Sequence, residues 1–169
     1  RNDRCMYFSV SSAHLNDNER SIMDREKFIG CWRLLSSEYR TSDGSFMYPM
    51  GKTVTGRLMY SADGYVSAQH MSTDRKPWPV SDWLHGTPAE IKAAFESYRG
   101  YYGTWEVDEV KHTVTHHIDR GSFPNWTGTD FVRFYEFSGN NLTLITVPQI
   151  MDGKMVTVYL IWERLESVK

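Results

Sequence analysis

Two residues in the second half of the chain could do chemistry together: His116 and Arg133. In the run Val114–Ile118, alternation across a strand places Val114, His116 and Ile118 on one face and Thr113, Thr115 and His117 on the other. The first set is more apolar, so it is expected to point inward and to take His116 with it. The same rule groups Phe131, Arg133, Tyr135 and Phe137 on one face. An inward arginine is costly unless an anion or several carbonyl oxygens meet it, so Arg133 is expected to bond Glu38 or the oxygen of a ligand. A cation nearby disfavours a second positive charge and keeps His116 neutral. Neutral imidazole can accept or donate a proton, and a guanidinium can stabilise negative charge developing on a carbonyl oxygen. The pair suits isomerisation, dehydration or ring closure, and it suits plain binding equally well. The plainer alternatives stay open: a histidine satisfied within the core, and Arg133 paired with Glu38 or Glu136.

Other residues are candidates for lining the same interior. Ser36 and Glu38 fall on the face of Trp32 in the first strand. Ser67 and Gln69 fall with Tyr65 and Met71, provided that a four-residue turn sets Tyr60 opposite Tyr65; Val66, Ala68 and His70 form the other face. Phe95 and Tyr98, with Trp105 and Tyr135, supply aromatic surface of the kind that lines apolar cavities. No metal is expected. His116 and His117 are adjacent and diverge on a strand, and His70, His85 and His112 form no consistent ligand set. No glycine-rich phosphate loop, nucleophile elbow or dinucleotide fingerprint occurs, so no cofactor is expected. Asn125-Trp126-Thr127 and Asn141-Leu142-Thr143 match the glycosylation acceptor pattern, discounted for want of a secretory signal.

The elements that must position these residues are strands. Period-2 alternation marks strands at about 31–40, 53–60, 64–71, 101–108, 111–119, 130–138, 141–147 and 154–164. Ser42-Asp43-Gly44-Ser45, Ser61-Ala62-Asp63-Gly64, Gly139-Asn140-Asn141 and Asp152-Gly153 punctuate them as turns. Eight strands joined mostly by hairpins predict an antiparallel up-and-down barrel, which leaves no free edge and can hold one small ligand. Gly30-Cys31-Trp32 opens the first strand and Trp162-Glu163-Arg164 ends the last. An indole at the barrel mouth with Arg164 stacked on it would close the sheet by cation–π attraction, about 0.5–1 kcal/mol when exposed. Residues 24–29 read as a short helical turn capping the barrel floor. Thr87, Pro88 and Glu90 mark the start of an inserted helix, residues 88–99, with Ile91, Ala94, Phe95 and Tyr98 on one side. It is expected to lie across the barrel as a lid, the alternative being a helix on the outer wall.

Composition narrows the function class. The 169 residues fit one domain, read as 23–169, behind a tail at 1–22; Met23 would serve equally as a start. A net charge of -2 gives no clustered basic surface for nucleic acid. No apolar run approaches the ~20 residues of a membrane span, and cytoplasmic residence is expected. Cys5 and Cys31 lack any spacing for a disulfide framework or a zinc site. The oligomeric state is not legible.

Taken together, several stretches resemble the small lipocalin-like domain family of bacterial and fungal proteins. They are Phe28-Ile29-Gly30-Cys31-Trp32-Arg33-Leu34-Leu35-Ser36, Tyr48-Pro49-Met50-Gly51, Tyr60-Ser61-Ala62-Asp63-Gly64-Tyr65, Gly86-Thr87-Pro88, Thr115-His116-His117, Pro124-Asn125-Trp126-Thr127-Gly128-Thr129 and Trp162-Glu163-Arg164. The likeness covers about 23–165. It implies a calycin-type barrel with an interior cavity and a small-molecule ligand or substrate. Some lipocalin-like proteins of fungal natural-product pathways look like cofactor-free cyclases or isomerases. The expectation is therefore a binder of a small, largely apolar oxygenated molecule, with a cofactor-independent isomerase, cyclase or dehydratase of secondary metabolism as the alternative.

Overall fold

Hairpin after hairpin, the chain lays each strand beside the last until the first and last meet. The computed structural model describes residues 24–166; the expected tail, Met23 and residues 167–169 lie outside the described residues. A helical turn, α1 (24–28), precedes β1 (Gly30–Thr41). Then come β2 (Phe46–Met47), β3 (Val54–Tyr60), β4 (Tyr65–Ser72), α2 (Pro88–Glu96), β5 (Tyr98–Asp108) and β6 (Thr113–Gly121). A 3-10 turn (Pro124–Trp126) leads into β7 (Asp130–Ser138), β8 (Asn141–Thr146), β9 (Gln149–Met151) and β10 (Lys154–Arg164). All ten strands belong to one antiparallel sheet, and β1 pairs with β10 to close it. Strands β2 and β9 are short additions at the rim; the other eight are the staves expected from alternation. No helix among the described residues is long and apolar enough to cross a membrane.

Closure follows from the motif at the two ends. Trp32 sits opposite Arg164 in the ladder, and the guanidinium lies 4.2 Å from the indole centroid. Arg164 Nη1 donates to Ile29 O at 2.7 Å, and its Nη2 bonds Lys27 O, so one side chain ties the last strand to α1. Gly30 is required here: its φ is +134°, and a Cβ would stand 2.9 Å from Arg164 Nη1.

Below Trp32 the barrel is sealed by aromatic packing. Phe28, with no exposed surface, has its ring 5.2 Å from Tyr60, 5.0 Å from Tyr135 and 4.9 Å from Phe137, all edge-on. Such edge-to-face pairs add about 0.5–1.5 kcal/mol each beyond burial of their area. The start of β1, the end of β3 and the end of β7 thus form a dry floor. Among the described residues the opposite ends of the same strands hold no comparable plug, and there the interior opens.

Two expectations about facing are overturned by local irregularities. In β1 the register steps from Leu34↔Trp162 to Ser36↔Ile161, leaving Leu35 as an extra residue. Such a bulge inverts the alternation beyond it. Tyr39 and Thr41 are consequently buried, while Ser36 and Glu38 leave Trp32's face, and Glu38 pairs with Arg40 outside. In the next hairpin Tyr60 pairs with Val66, so residues 61–65 form the turn, one more than expected. Tyr65 is 63% exposed, Ser67 and Gln69 share its outer face, and Val66, Ala68 and His70 turn inward instead.

The inserted helix begins as expected, with a full capping box between Thr87 and Glu90. It buries none of its residues, and Ile91 is half exposed. It borders the open end rather than stoppering it.

Candidate ligand-binding site

The open end of the barrel encloses a cavity of about 560 Å³. Its wall combines aromatic rings (Tyr39, Phe95, Tyr101, Phe123, Trp126, Phe131) with Val147, Met151 of β9, Val158 and Leu160 of β10 and a few polar groups. Volumes of about 300–1,000 Å³ with a mainly apolar lining are typical of small-molecule sites. Each polar group reaches the cavity for a local reason. Tyr39 arrives through the β1 bulge, His70 through the longer β3–β4 turn, and Arg99 and Tyr101 through the start of β5. Phe131 and Arg133 arrive on the inward face of β7, as alternation predicts.

Arg133 faces inward without a carboxylate partner among the described residues. Its Nη1 lies 3.5 Å from Val132 O, its guanidinium 4.9 Å from the Phe131 ring centroid, and its buried Nε has no acceptor. Glu38, expected as one possible partner, is bonded to Arg40 at 2.6 Å on the outer wall. Arg99 differs: its Nη1 donates to Phe95 O, Glu96 O and Tyr98 O at 3.1, 3.2 and 2.8 Å, closing the C-terminal end of α2.

His116 is buried one layer beneath the cavity, between floor and opening, with no exposed surface. Its Nε2 bonds the Tyr60 hydroxyl at 2.7 Å and its Nδ1 the Tyr101 hydroxyl at 2.8 Å. Burial, then the Arg133 charge, holds its pKa well below the ordinary histidine value, so the ring is neutral. His116 and Arg133 lie on adjacent strands, with His116 opposite Phe131 and Arg133 opposite Val114. The two are neighbours, but only Arg133 reaches the cavity.

A second imidazole escaped the sequence reading as a site residue. His70 lines the cavity, its Nδ1 is buried without a partner, and burial followed by Arg133 and Arg99 lowers its pKa to about 4. The signal was the alternative face of β4, Val66-Ala68-His70, and only the turn length decides between the two.

Of the other candidates, Phe95 lines the cavity. Trp105 and Tyr135 belong to the floor. Trp105 packs 4.7 Å from Tyr60, and Tyr135 donates to Asp24 Oδ2 at 3.0 Å. Tyr98 points to the outside of β5, beneath the Arg75 guanidinium at 5.8 Å. Ser36, Glu38, Tyr65, Ser67 and Gln69 do not line the cavity, for the reasons of register given above. Among the described residues no three His, Cys, Asp or Glu side chains are grouped to hold a metal ion.

The chain is 31% identical over 107 residues to the 4'-hydroxy-3'-methoxypropiophenone carrier protein ppsC of Aspergillus oryzae, covering 59% of this chain and 96% of that protein. A lipocalin-like protein from Bacteroides uniformis superposes with a TM-score of 0.43 at 13% identity, over 82% of this chain and 99% of its own. The siderocalin Ex-FABP superposes with a TM-score of 0.30 at 10% identity, over 85% and 73% respectively. The sequence profile of the lipocalin-like domain matches residues 29–165, from the strand that bears Trp32 to just past Arg164. With that match spanning the whole closed barrel, the chain belongs to the lipocalin-like domain family.

Proposed function

We propose that the chain is a binding or carrier protein for one small, largely apolar, oxygenated molecule held at the open end of the barrel. The observation that carries this reading is Arg133: an inward cation among aromatic rings whose buried Nε has no acceptor. Leaving such a group unpaired is expensive, and a ligand oxygen would meet the need. The relative from Aspergillus oryzae, named as a carrier of an aromatic ketone with hydroxyl and methoxy groups, supports the class of ligand. Calorimetric titration with 4'-hydroxy-3'-methoxypropiophenone tests the reading. One molecule should bind per chain, and Arg133→Ala should weaken binding by roughly 10- to 100-fold, the worth of a hydrogen bond to a charged group. Absence of binding by this compound and by a panel of related aryl ketones would count against it.

A cofactor-independent isomerase, cyclase or dehydratase is the second reading, favoured by the Tyr60–His116–Tyr101 chain that ends in the cavity wall. Both nitrogens of His116 are engaged, so a proton would pass to or from substrate through the Tyr101 hydroxyl. Tyr101→Phe should then stop turnover while leaving most of the binding intact. Binding without any turnover in the wild-type chain would favour the carrier.

A further inference from the structure

The charges around the cavity do not balance. Among the described residues, two guanidinium groups, Arg99 and Arg133, line it against one carboxylate, Asp130. Asp130 is turned toward His117 on the outer side, Oδ1 to Nδ1 at 2.7 Å, and its side chain is 59% exposed. His70 and His116 are neutral, and burial keeps the Tyr39 and Tyr101 hydroxyls protonated. Arg99 spends donors on three backbone carbonyls. The inward cation left with an unsatisfied buried donor is Arg133, whose Nε has no acceptor among the described residues.

The direction of the hydrogen-bond chain beside it adds a second donor. Among the described residues the Tyr60 hydroxyl has one partner, His116 Nε2, at 2.7 Å. Were Nε2 protonated, the Tyr60 proton would be buried with no acceptor, an arrangement costing about 1–3 kcal/mol. Tyr60 accordingly donates to Nε2, which places the imidazole proton on Nδ1 and makes Nδ1–H the donor to the Tyr101 oxygen. The proton of Tyr101 is thus left over, and Tyr101 lines the cavity. Arg133 lines the same cavity, so the two donors face one enclosed space.

We infer that the cavity takes its ligand as an organic oxyanion, a phenolate, enolate or carboxylate on an aromatic body, held between the Arg133 guanidinium and the Tyr101 hydroxyl. This rests on the reading of the cavity as a small-molecule site and goes further by fixing the ligand's charge. Phe95, Phe123, Trp126 and Phe131 supply rings against which the aromatic body packs. Asp130 is engaged with His117 at the rim and leaves the inner anion position free.

Two probes with one skeleton and different charge test it: 8-anilinonaphthalene-1-sulfonate and N-phenyl-1-naphthylamine, which lacks only the sulfonate. The sulfonate stands in for the oxyanion, and fluorescence titration gives both affinities. The wild-type chain should bind the anionic probe at least about tenfold more tightly. Arg133→Met should erase that preference while leaving the neutral probe's affinity within about twofold, and Tyr101→Phe should reduce it by about three- to tenfold. A neutral probe that binds as tightly as the anion would overturn the inference and leave the binding reading standing. A preference that survives in Arg133→Met would overturn it too, and binding of neither probe would defeat both readings. If Arg133→Met fails to fold, the wild-type ratio decides alone, since equal affinities refute the anion site.

Discussion

Acidification should loosen this fold well before its carboxylates titrate, because two imidazoles are held neutral inside it. Burial, with the Arg133 and Arg99 charges, lowers His70 from 6.5 to about 4, and burial with Arg133 lowers His116 in the same direction. An unfolded chain binds protons on both rings near the ordinary value, and the folded chain refuses them. Their contribution to stability is therefore fully present above the ordinary value and is lost as pH falls toward the folded one. For His70 the full window is about 2.5 units, or roughly 3 kcal/mol, of which roughly 2 kcal/mol is lost by about pH 5. His116 adds to the loss. His117 acts oppositely: hydrogen bonding to Asp130 raises its pKa, so its contribution fades as pH rises, but it is exposed and salt-screened. Asp43, Glu90 and Asp108 are held low by bonds from Thr41, Thr87 and Lys111, and they fail only at more acid values. Urea unfolding at about pH 7, 6 and 5 would read the effect, with a drop in the midpoint and an unchanged slope. His70→Phe should flatten part of the dependence. A midpoint that does not move between about pH 7 and pH 5, or the same dependence in His70→Phe, would refute the reasoning.

Three further outcomes follow from the packing. Gly30→Ala should cost about 1–3 kcal/mol in urea unfolding, because the methyl group meets Arg164 Nη1 at 2.9 Å on a backbone at φ +134°. His116→Ala removes both ring bonds and should cost about 2–5 kcal/mol, stranding the Tyr60 hydroxyl, with thermal unfolding as the check. Glu38→Ala should leave ligand affinity within about twofold of wild type, since its partner is Arg40 on the outer wall, and a larger loss would show that the bulge does not persist in solution.

The barrel was legible because its signals are local and repeated. Alternation set the eight staves to within a few residues, Thr87-Pro88-Glu90 marked α2, and the indole of Trp32 with Arg164 marked the closing pair. The inward face of β7 was legible for the same reason, since no irregularity interrupts Phe131, Arg133, Tyr135 and Phe137. What failed were facings that depend on one residue of register. Leu35 in the β1 bulge moved Ser36 and Glu38 off the inner face and put Tyr39 there; one extra turn residue exchanged Tyr65, Ser67 and Gln69 for His70. A bulge or a longer turn leaves no mark in hydrophobic period, because every side chain beyond it flips together. Depth along the barrel was equally invisible. Trp105 and Tyr135 do face inward, but Phe28 from α1 claims them for the floor.

The most direct test of a ligand-holding barrel is native mass spectrometry of the protein purified from its own host. The account predicts a 1:1 adduct of one small organic molecule that is released on denaturation and diminished in Arg133→Ala. A chain that carries only its own mass in both forms, with nothing released on denaturation, would contradict it.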